Sequence, residues 1–532
     1  MRKAIIALIL ALAVLPLLSA CSLFDIDLPS YQDEDEYDYT PTDPPPIERT
    51  PVPPGLHFPD DGILRLSMRH PLTLNPLLNE DATVAKILRL IFEPLIIFDE
   101  DLRPTGHLAN IEMASDFSHA TLTIRNDAIW SDGLPVSSDD LIFSIEVLKR
   151  APDTVIYKRN VVNIAATERI DSRTVQIIFE QASATAGYAL NFPIIPEHHF
   201  RGHTNRVSPR NMEPLGNGPY RLESMMPIHS MSLVSNPYAF RRRAEIEQVE
   251  VLFIPDAETK LHAFDQGIVD AIRLPFAEWV KHHSVKTVHH EDFPAMYFEF
   301  IGFNFQREIF QDQRIRQGIA HAFNTDEAML STYLHQAVRA VSPIHPYSWM
   351  HDNTVAGPAY DPGLATTILR PLRPYGPLVI LVNTEHIERV HIARHLAAGL
   401  EAAQLQAEVV ALSFEEYYER LMEGDFDLFL GGMQLDFAPD FAFMFQGGAL
   451  FGYDAVMEGL LAGLNIASTE IAFLQAVTQL QQGFVERLPI ISLGFRHSAV
   501  LTGTRVEQGR GPASDCIFAF VNEWRIVGTD PR

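Results

Sequence analysis

The chain has 532 residues, of which 47% are hydrophobic and 10% aromatic, so it is a globular chain too long for one core. Its formal net charge of −27 argues against nucleic acid as a partner, because phosphate recognition needs a basic face. Two cysteines, Cys21 and Cys516, exclude a disulfide-stapled scaffold.

Arg2 and Lys3 precede an apolar run from Ala4 to Leu18, and Leu18-Ser19-Ala20-Cys21 follows. The run is shorter than the roughly 20 residues that span a bilayer. It predicts a secretion signal over 1–20, with cleavage before Cys21 and a lipid on that cysteine. The lipid would hold the protein at the outer face of a bacterial cell membrane, as a membrane-anchored extracytoplasmic domain. Residues 21–57 carry nine acids against the single base Arg49, together with Pro29, Pro41, Pro44, Pro45, Pro46, Pro51, Pro53 and Pro54. Such a segment buries too little apolar surface to fold and reads as an extended tether.

Beyond the tether, strands and helices mix without a fixed repeat. Gly62 to Met68 alternates as a strand, and Thr83 to Phe92 has helical spacing. Ala120 to Arg125 and Thr174 to Phe179 read as strands. Ser138-Asp139-Asp140 opens a helix that runs to Arg150. Val249 to Ile254 is a predicted strand, and Ala257 to Gln266 a helix stopped by Gly267. Arg314 to Phe323 and Glu388 to Ala402 are predicted helices. Leu378 to Val382, Glu408 to Leu412 and the buried run Phe426 to Leu430 are predicted strands. Cys516, in an apolar stretch, is expected to be a buried small hydrophobe. No other apolar run reaches membrane-spanning length, and the mixture predicts α/β lobes.

No G-x-S-x-G elbow, H-E-x-x-H helix or P-loop is present, and Gly216-Asn217-Gly218 lacks the third glycine of a dinucleotide loop. The expectation is a protein that is not an enzyme and needs no cofactor. Of 21 histidines, His391 and His395 stand four apart on a predicted helix, with His386 and Glu388 just before. That spacing makes them weak metal candidates.

Five separated stretches carry a resemblance: Trp130-Ser131-Asp132-Gly133-Leu134-Pro135; Gly216-Asn217-Gly218-Pro219-Tyr220; Glu250 to Asp270; Phe303-Asn304 followed by Phe310 to Gln317; and Tyr360-Asp361-Pro362. In that order they resemble the solute-binding proteins of family 5, the peptide, oligopeptide and nickel class that serves ABC transporters. Most of these residues are expected to build turns and caps, with Arg314 and Arg316 pairing with acids such as Asp312.

The resemblance implies a two-lobed, periplasmic-binding-protein type II-like α/β fold with the ligand in a cleft between the lobes. It implies lobe one over 58–92, 213–303 and 493–532, an extra domain over 93–212, and lobe two over 304–492. The crossings would fall near Phe303 and near Leu488-Pro489-Ile490. Gly431 to Asp440 resembles the family's "W-x-A-D-Y-x-D-P" segment, in which the first Asp meets the α-ammonium of a peptide. That position is Asp436, with Met433 where the Trp would stand; Asp436 capping a turn or helix is the structural alternative. Asn304 and Asp440 complete the implied ligand-binding set. The implied function is capture of peptides by a monomer and their delivery to permease subunits driven by cytoplasmic ATPases. A sensor lipoprotein that binds a signal peptide, or a nickel or metal-chelate carrier, stands as an alternative.

Overall fold

The computed structural model describes residues 61–274, 288–439, 441–447 and 450–527. The signal segment, Cys21, the tether and Asp440 lie outside the described residues.

The first half of the chain contains β1 (Ile63–Met68), β2 (Ile96–Phe98), β3 (Pro104–Gly106), β4 (Ala109–Met113), β5 (His119–Ile124), β6 (Ile164–Arg169), β7 (Thr174–Phe179), β8 (Tyr220–Met226), β9 (Ser230–Ser235) and β10 (Gln248–Phe253). One sheet has the order β1-β10-β9-β8, with β1 parallel to β10; a second has the order β4-β5-β7-β6. β2 and β3 form a two-stranded hairpin. The alternation seen in the sequence does its expected work in β1, which buries Leu64, Leu66 and Met68. Together with Trp130, Ile145, Tyr220, Val251 and, from the far end of the chain, Val500 and Trp524, these residues form a first core.

The motifs shared with the family are structural here. Asp140, in the first turn of helix α1 (Ser138–Arg150), is buried. It accepts from the Trp130 indole at 3.2 Å, the Ser137 hydroxyl at 2.9 Å and the amides of Ser137 and Glu197 at 2.8 Å each. Burial nonetheless raises its pKa. The Gly216 to Tyr220 turn takes over the end of the preceding helical stretch. Gly218 N–H donates to the Ile91 carbonyl at 2.8 Å and Tyr220 N–H to that of Leu90 at 2.9 Å. A Cβ on Gly216 would stand 1.9 Å from the Ile91 oxygen. The helix expected over Thr83 to Phe92 stops at Leu88, and the chain beyond it tightens into i→i−3 turns, with Leu90 N–H on the Ile87 carbonyl and Ile91 N–H on that of Leu88.

The second half contributes β11 (Ala271–Leu274), β12 (Val288–Phe303), β13 (Ala337–Arg339), β14 (Leu378–Asn383), β15 (Ala407–Leu412), β16 (Leu428–Gln434) and β17 (Ile490–Gly503). They form one sheet of order β11-β17-β12-β16-β14-β15, with β13 also on β17. β14 runs parallel to both β15 and β16. Helices α2 (Gln313–Ala322), α3 (Ile387–Ala402) and α4 (Phe414–Glu423) belong to this half, as does α5 (Glu470–Arg487). Ile301, Ile319, Ile380, Leu396, Leu430 and Leu493 form a second core. A third gathers Phe298, Met433, Phe484 and Phe495, together with Leu102 and Tyr188 from the first half.

β12 and β17 link the first and second cores. β17 pairs β11 through 499–502, β12 pairs β16 through 297–303, and the two long strands pair with each other between. Their register breaks between Pro294 and Tyr297, opposite His497 and Arg496. The expected crossing points at Phe303 and 488–490 sit together at one end of this ribbon, where Gly302 pairs with Ile490.

Two local expectations change. The strand expected over Phe426 to Leu430 runs over Leu428–Gln434, so Gly431 and Gly432 are strand residues. Arg314 pairs with Asp312 at 3.1 Å as expected, but Arg316 does not. The buried Arg316 donates instead to the carbonyls of Phe310, Gln311, Arg487 and Leu488. Its fan of donors ties the start of α2 to the end of α5.

Candidate ligand-binding site

Ligands of parallel α/β sheets lie beyond the carboxyl ends of the strands. Here that edge is formed by Asn383 of β14, Leu412 of β15 and Gln434 of β16. From it the chain turns through Glu385 and His386 into α3 and through Ser413 into α4, whose first turn Ser413 caps. After β16 it continues through Leu435, Asp436 and Phe437.

Beneath this edge lies a charge cluster. Glu299 of β12 is fully buried. Arg389 Nε donates to Glu299 Oε2 at 2.8 Å, and Arg496 Nε stands 3.0 Å from Oε1. Arg496 Nη1 donates to Glu388 Oε1 at 3.0 Å, and His386 Nδ1 lies 3.4 Å from the same oxygen. Arg389 also donates to Asn383 Oδ1 and the Tyr297 hydroxyl, each at 3.3 Å. The Arg496 guanidinium lies 3.9 Å from the centroid of the Tyr297 ring. Burial alone would lower both arginines, but Glu299 holds Arg389 well above its usual pKa and raises Arg496. Burial likewise works against ionised Glu388, yet His386 and Arg496 hold it down at about 2. Gly432 of β16 faces this cluster across the strand pair. A Cβ there would stand 2.2 Å from Arg389 Nη2, whereas one on Gly431 would meet the Phe300 ring at 2.8 Å, so the two glycines of the buried strand make room for different neighbours.

A second polar feature borders the third core. His345 is 1% exposed, and its Nδ1 accepts the Tyr347 amide at 3.1 Å. Its proton therefore sits on Nε2, which is buried and has no partner among the described residues. The ring lies 4.5 Å from that of Phe495, and burial pulls its pKa down to about 3.

The residues singled out in the sequence are placed as follows. Asp436 is exposed just past the end of β16. Met433 is 3% exposed, pairs in register with Phe298 and packs in the third core. Asn304 is buried; both its amide hydrogens go to carbonyls, of Gly424 at 2.9 Å and Phe426 at 2.8 Å, and its oxygen accepts the Gln306 amide. That leaves it no hydrogen to donate to a ligand. His391 and His395 are exposed on α3, with His395 Nε2 3.1 Å from the Ser331 hydroxyl. Among the described residues no group of three or more His, Cys, Asp or Glu could hold a metal ion. Cys516 is buried, as expected.

The charge cluster escaped the sequence reading although it left a signal. Glu299 stands in the apolar run Tyr297-Phe298-Glu299-Phe300-Ile301, and a carboxylate inside a buried strand requires a cation.

Residues 103–450 match the sequence model of the bacterial extracellular solute-binding proteins, family 5 middle, which is well over half of the chain. A putative ABC transporter peptide-binding protein of Brucella ovis is 23% identical over 285 residues, 52% of this chain and 54% of that protein. A probable peptide-binding protein, YejA, of Agrobacterium fabrum is 27% identical over 304 residues, 51% of this chain and 48% of its own. The chain thus spans about half the length of these curated relatives. Solved structures share the fold over more of the chain. The substrate-binding protein CtaP of Listeria monocytogenes superposes with a TM-score of 0.77 at 16% identity, covering 87% of this chain and 99% of that one. NikZ of Campylobacter jejuni, solved with Ni(L-His), superposes with a TM-score of 0.69 at 19% identity, covering 87% and 99%. No helix among the described residues is long and apolar enough to cross a membrane. Fold and sequence therefore agree: the chain belongs to the bacterial extracellular solute-binding proteins of family 5 and has their two-lobed α/β architecture.

Proposed function

We propose that the protein is the substrate-binding component of an ABC importer and that it captures peptides between its lobes. The observation that carries this reading is the position of Asp436, an exposed carboxylate just past the carboxyl end of β16. A carboxylate there can receive the free α-ammonium of a peptide in a charge-assisted hydrogen bond, whatever the side chains. Relatives named as peptide-binding proteins support the same ligand class. We place the crossing between lobes on β12 between Phe293 and Ile301 and on β17 between Leu493 and Val500, because the first and second cores divide there. Residues 93–212 form the extra domain in this proposal.

No bond is broken in this role. The lobes close on the ligand, and the closed shape is delivered to the permease, whose ATPases supply the work. Cys21 carries the lipid that keeps the protein at the membrane. Replacing Cys21 by Ala should release the protein into the medium; retention at the membrane would remove the anchor from the proposal.

A thermal-shift screen tests the ligand class. Free-amine di- to octapeptides should stabilise the protein and their N-acetylated counterparts should not. A ligand at 100 times its Kd adds roughly 2.7 kcal/mol, a readily visible shift. Stabilisation by Ni²⁺ or a Ni²⁺–histidine complex alone would replace the peptide by a metal chelate.

A further inference from the structure

The β2–β3 hairpin has its base in one core and its tip in another. Leu95, Ile96 and Leu108 pack in the first core, whereas Leu102, at the tip, is 4% exposed and belongs to the third, which also holds Met296 and Phe298. Leu102 has φ +58°, a left-handed conformation that leucine rarely adopts, so the turn is held strained to insert it. Tyr188 behaves similarly, with Ala186 and Leu190 beside it in the first core and its own ring in the third.

Residues of the second half meet this tip. The Trp349 amide donates to the Asp101 carbonyl at 3.0 Å, and its indole N–H donates to the Tyr188 hydroxyl at 2.7 Å. The Arg103 guanidinium lies 3.8 Å from the Trp349 ring centroid and 3.0 Å from Glu470. Phe98 stacks on Phe437, immediately after Asp436, with centroids 4.1 Å apart and planes at 28°.

We propose that Phe98, Arg103 and Tyr188, with Trp349 and Phe437, form an interlobe latch that sets the rate at which ligand enters and leaves. The proposal rests on the reading of the chain as a binding protein whose lobes part to admit ligand. Each of these contacts joins a residue of 93–212 to one of 304–492, so all of them separate when the lobes part. In this proposal the latch acts between the lobes directly and not through the ligand, so it stabilises closure with the cleft filled or empty. It therefore slows opening in both states, and a weakened latch raises association and dissociation rates together. A ligand contact behaves differently, because its loss acts mainly on dissociation.

The test uses the full-length protein, with fluorescently labelled trialanine as probe and small-angle scattering of the ligand-free protein alongside. In Phe98→Ala/Arg103→Ala both rate constants should rise about tenfold with Kd held within about twofold, and the ligand-free radius of gyration should increase. Tyr188→Phe, which keeps the ring and removes the hydroxyl that receives Trp349, should move the same quantities in the same direction by less. A rise in dissociation alone would make these residues ligand contacts and overturn the latch, as would unchanged rates and scattering. Failure of trialanine to bind would count against the peptide reading only, because the scattering still decides the latch.

Discussion

Arg389 and Glu299 meet through two contacts, Nε to Oε2 at 2.8 Å and Nη2 to Oε1 at 3.3 Å, with both side chains almost wholly out of solvent. Glu299 is shared with Arg496, which also pairs with Glu388, so two carboxylates balance the two guanidiniums contributed by α3 and β17. Replacing Glu299 by Gln leaves buried positive charge without its partner and should cost about 3–5 kcal/mol of stability in urea denaturation. A loss below about 1 kcal/mol would show that the cluster is solvated enough to do without it.

Gly432→Ala attacks the same cluster without changing charge. The added methyl must displace Arg389 Nη2 or Glu299, so a loss of about 1–3 kcal/mol is expected by the same assay. A neutral result would mean that Arg389 can swing aside at no cost.

Acid should destabilise the protein in two windows. The folded His345 has a pKa of about 3 against an ordinary 6.5, so the unfolded chain takes up a proton first and stability falls as pH drops from 6.5. Glu93, buried beside His107 and Arg241, and Glu388 are both held at about 2 against 4.5. Their contribution is complete above pH 4.5 and is lost as pH falls toward 2. His345→Gln should flatten the upper window and spare the lower one, as read from melting temperature against pH. An unchanged slope between pH 6.5 and 4.5 would contradict the neutral buried imidazole.

Asp436→Asn separates binding from folding. Its exposed position predicts a stability change within about 0.5 kcal/mol. If it receives a peptide ammonium, losing the charge should weaken free-amine peptides by about 1.5–3 kcal/mol, which calorimetry would register as roughly ten- to a hundredfold in Kd. Equal affinity in the two proteins would take the ammonium away from Asp436.

Met433 is a packing residue in this structure. Met433→Ala should cost about 2–5 kcal/mol and Met433→Leu less than about 1.5 kcal/mol, measured by urea denaturation. A Met433→Ala protein of unchanged stability but altered peptide preference would instead put the side chain in the cleft.

Much of the fold was legible because the sequence patterns were local. The alternation of Leu64, Leu66 and Met68, the capped start at Ser138 and the stop at Gly267 each specify an element without reference to the rest of the chain. What escaped was long-range. Leu90 and Ile91 keep a helical pattern, but their carbonyls are claimed by a turn more than a hundred residues later. Arg316 stands near an acid in sequence, yet its partners are carbonyls at both ends of the second half. Of the residues drawn from the resemblance, Asp436 lies exposed past the end of β16, while Asn304 is tied into backbone. The partners in each proposed latch contact lie far apart in sequence and carry no spacing that a one-dimensional pattern could register.

The paired ribbon of β12 and β17 constrains what kind of motion the molecule can make. Two strands bonded to each other on both sides of a register break can bend or twist at that break, but neither can slide past the other without breaking its ladder. Rearrangement of the lobes is therefore expected to bend or twist the ribbon at its two register shifts, between Pro294 and Tyr297 and between Glu299 and Phe300, and not to slide one strand along the other. The same ribbon makes folding indivisible: a fragment ending inside either strand would strip the other of its partner, so the lobes are expected to unfold in one cooperative transition.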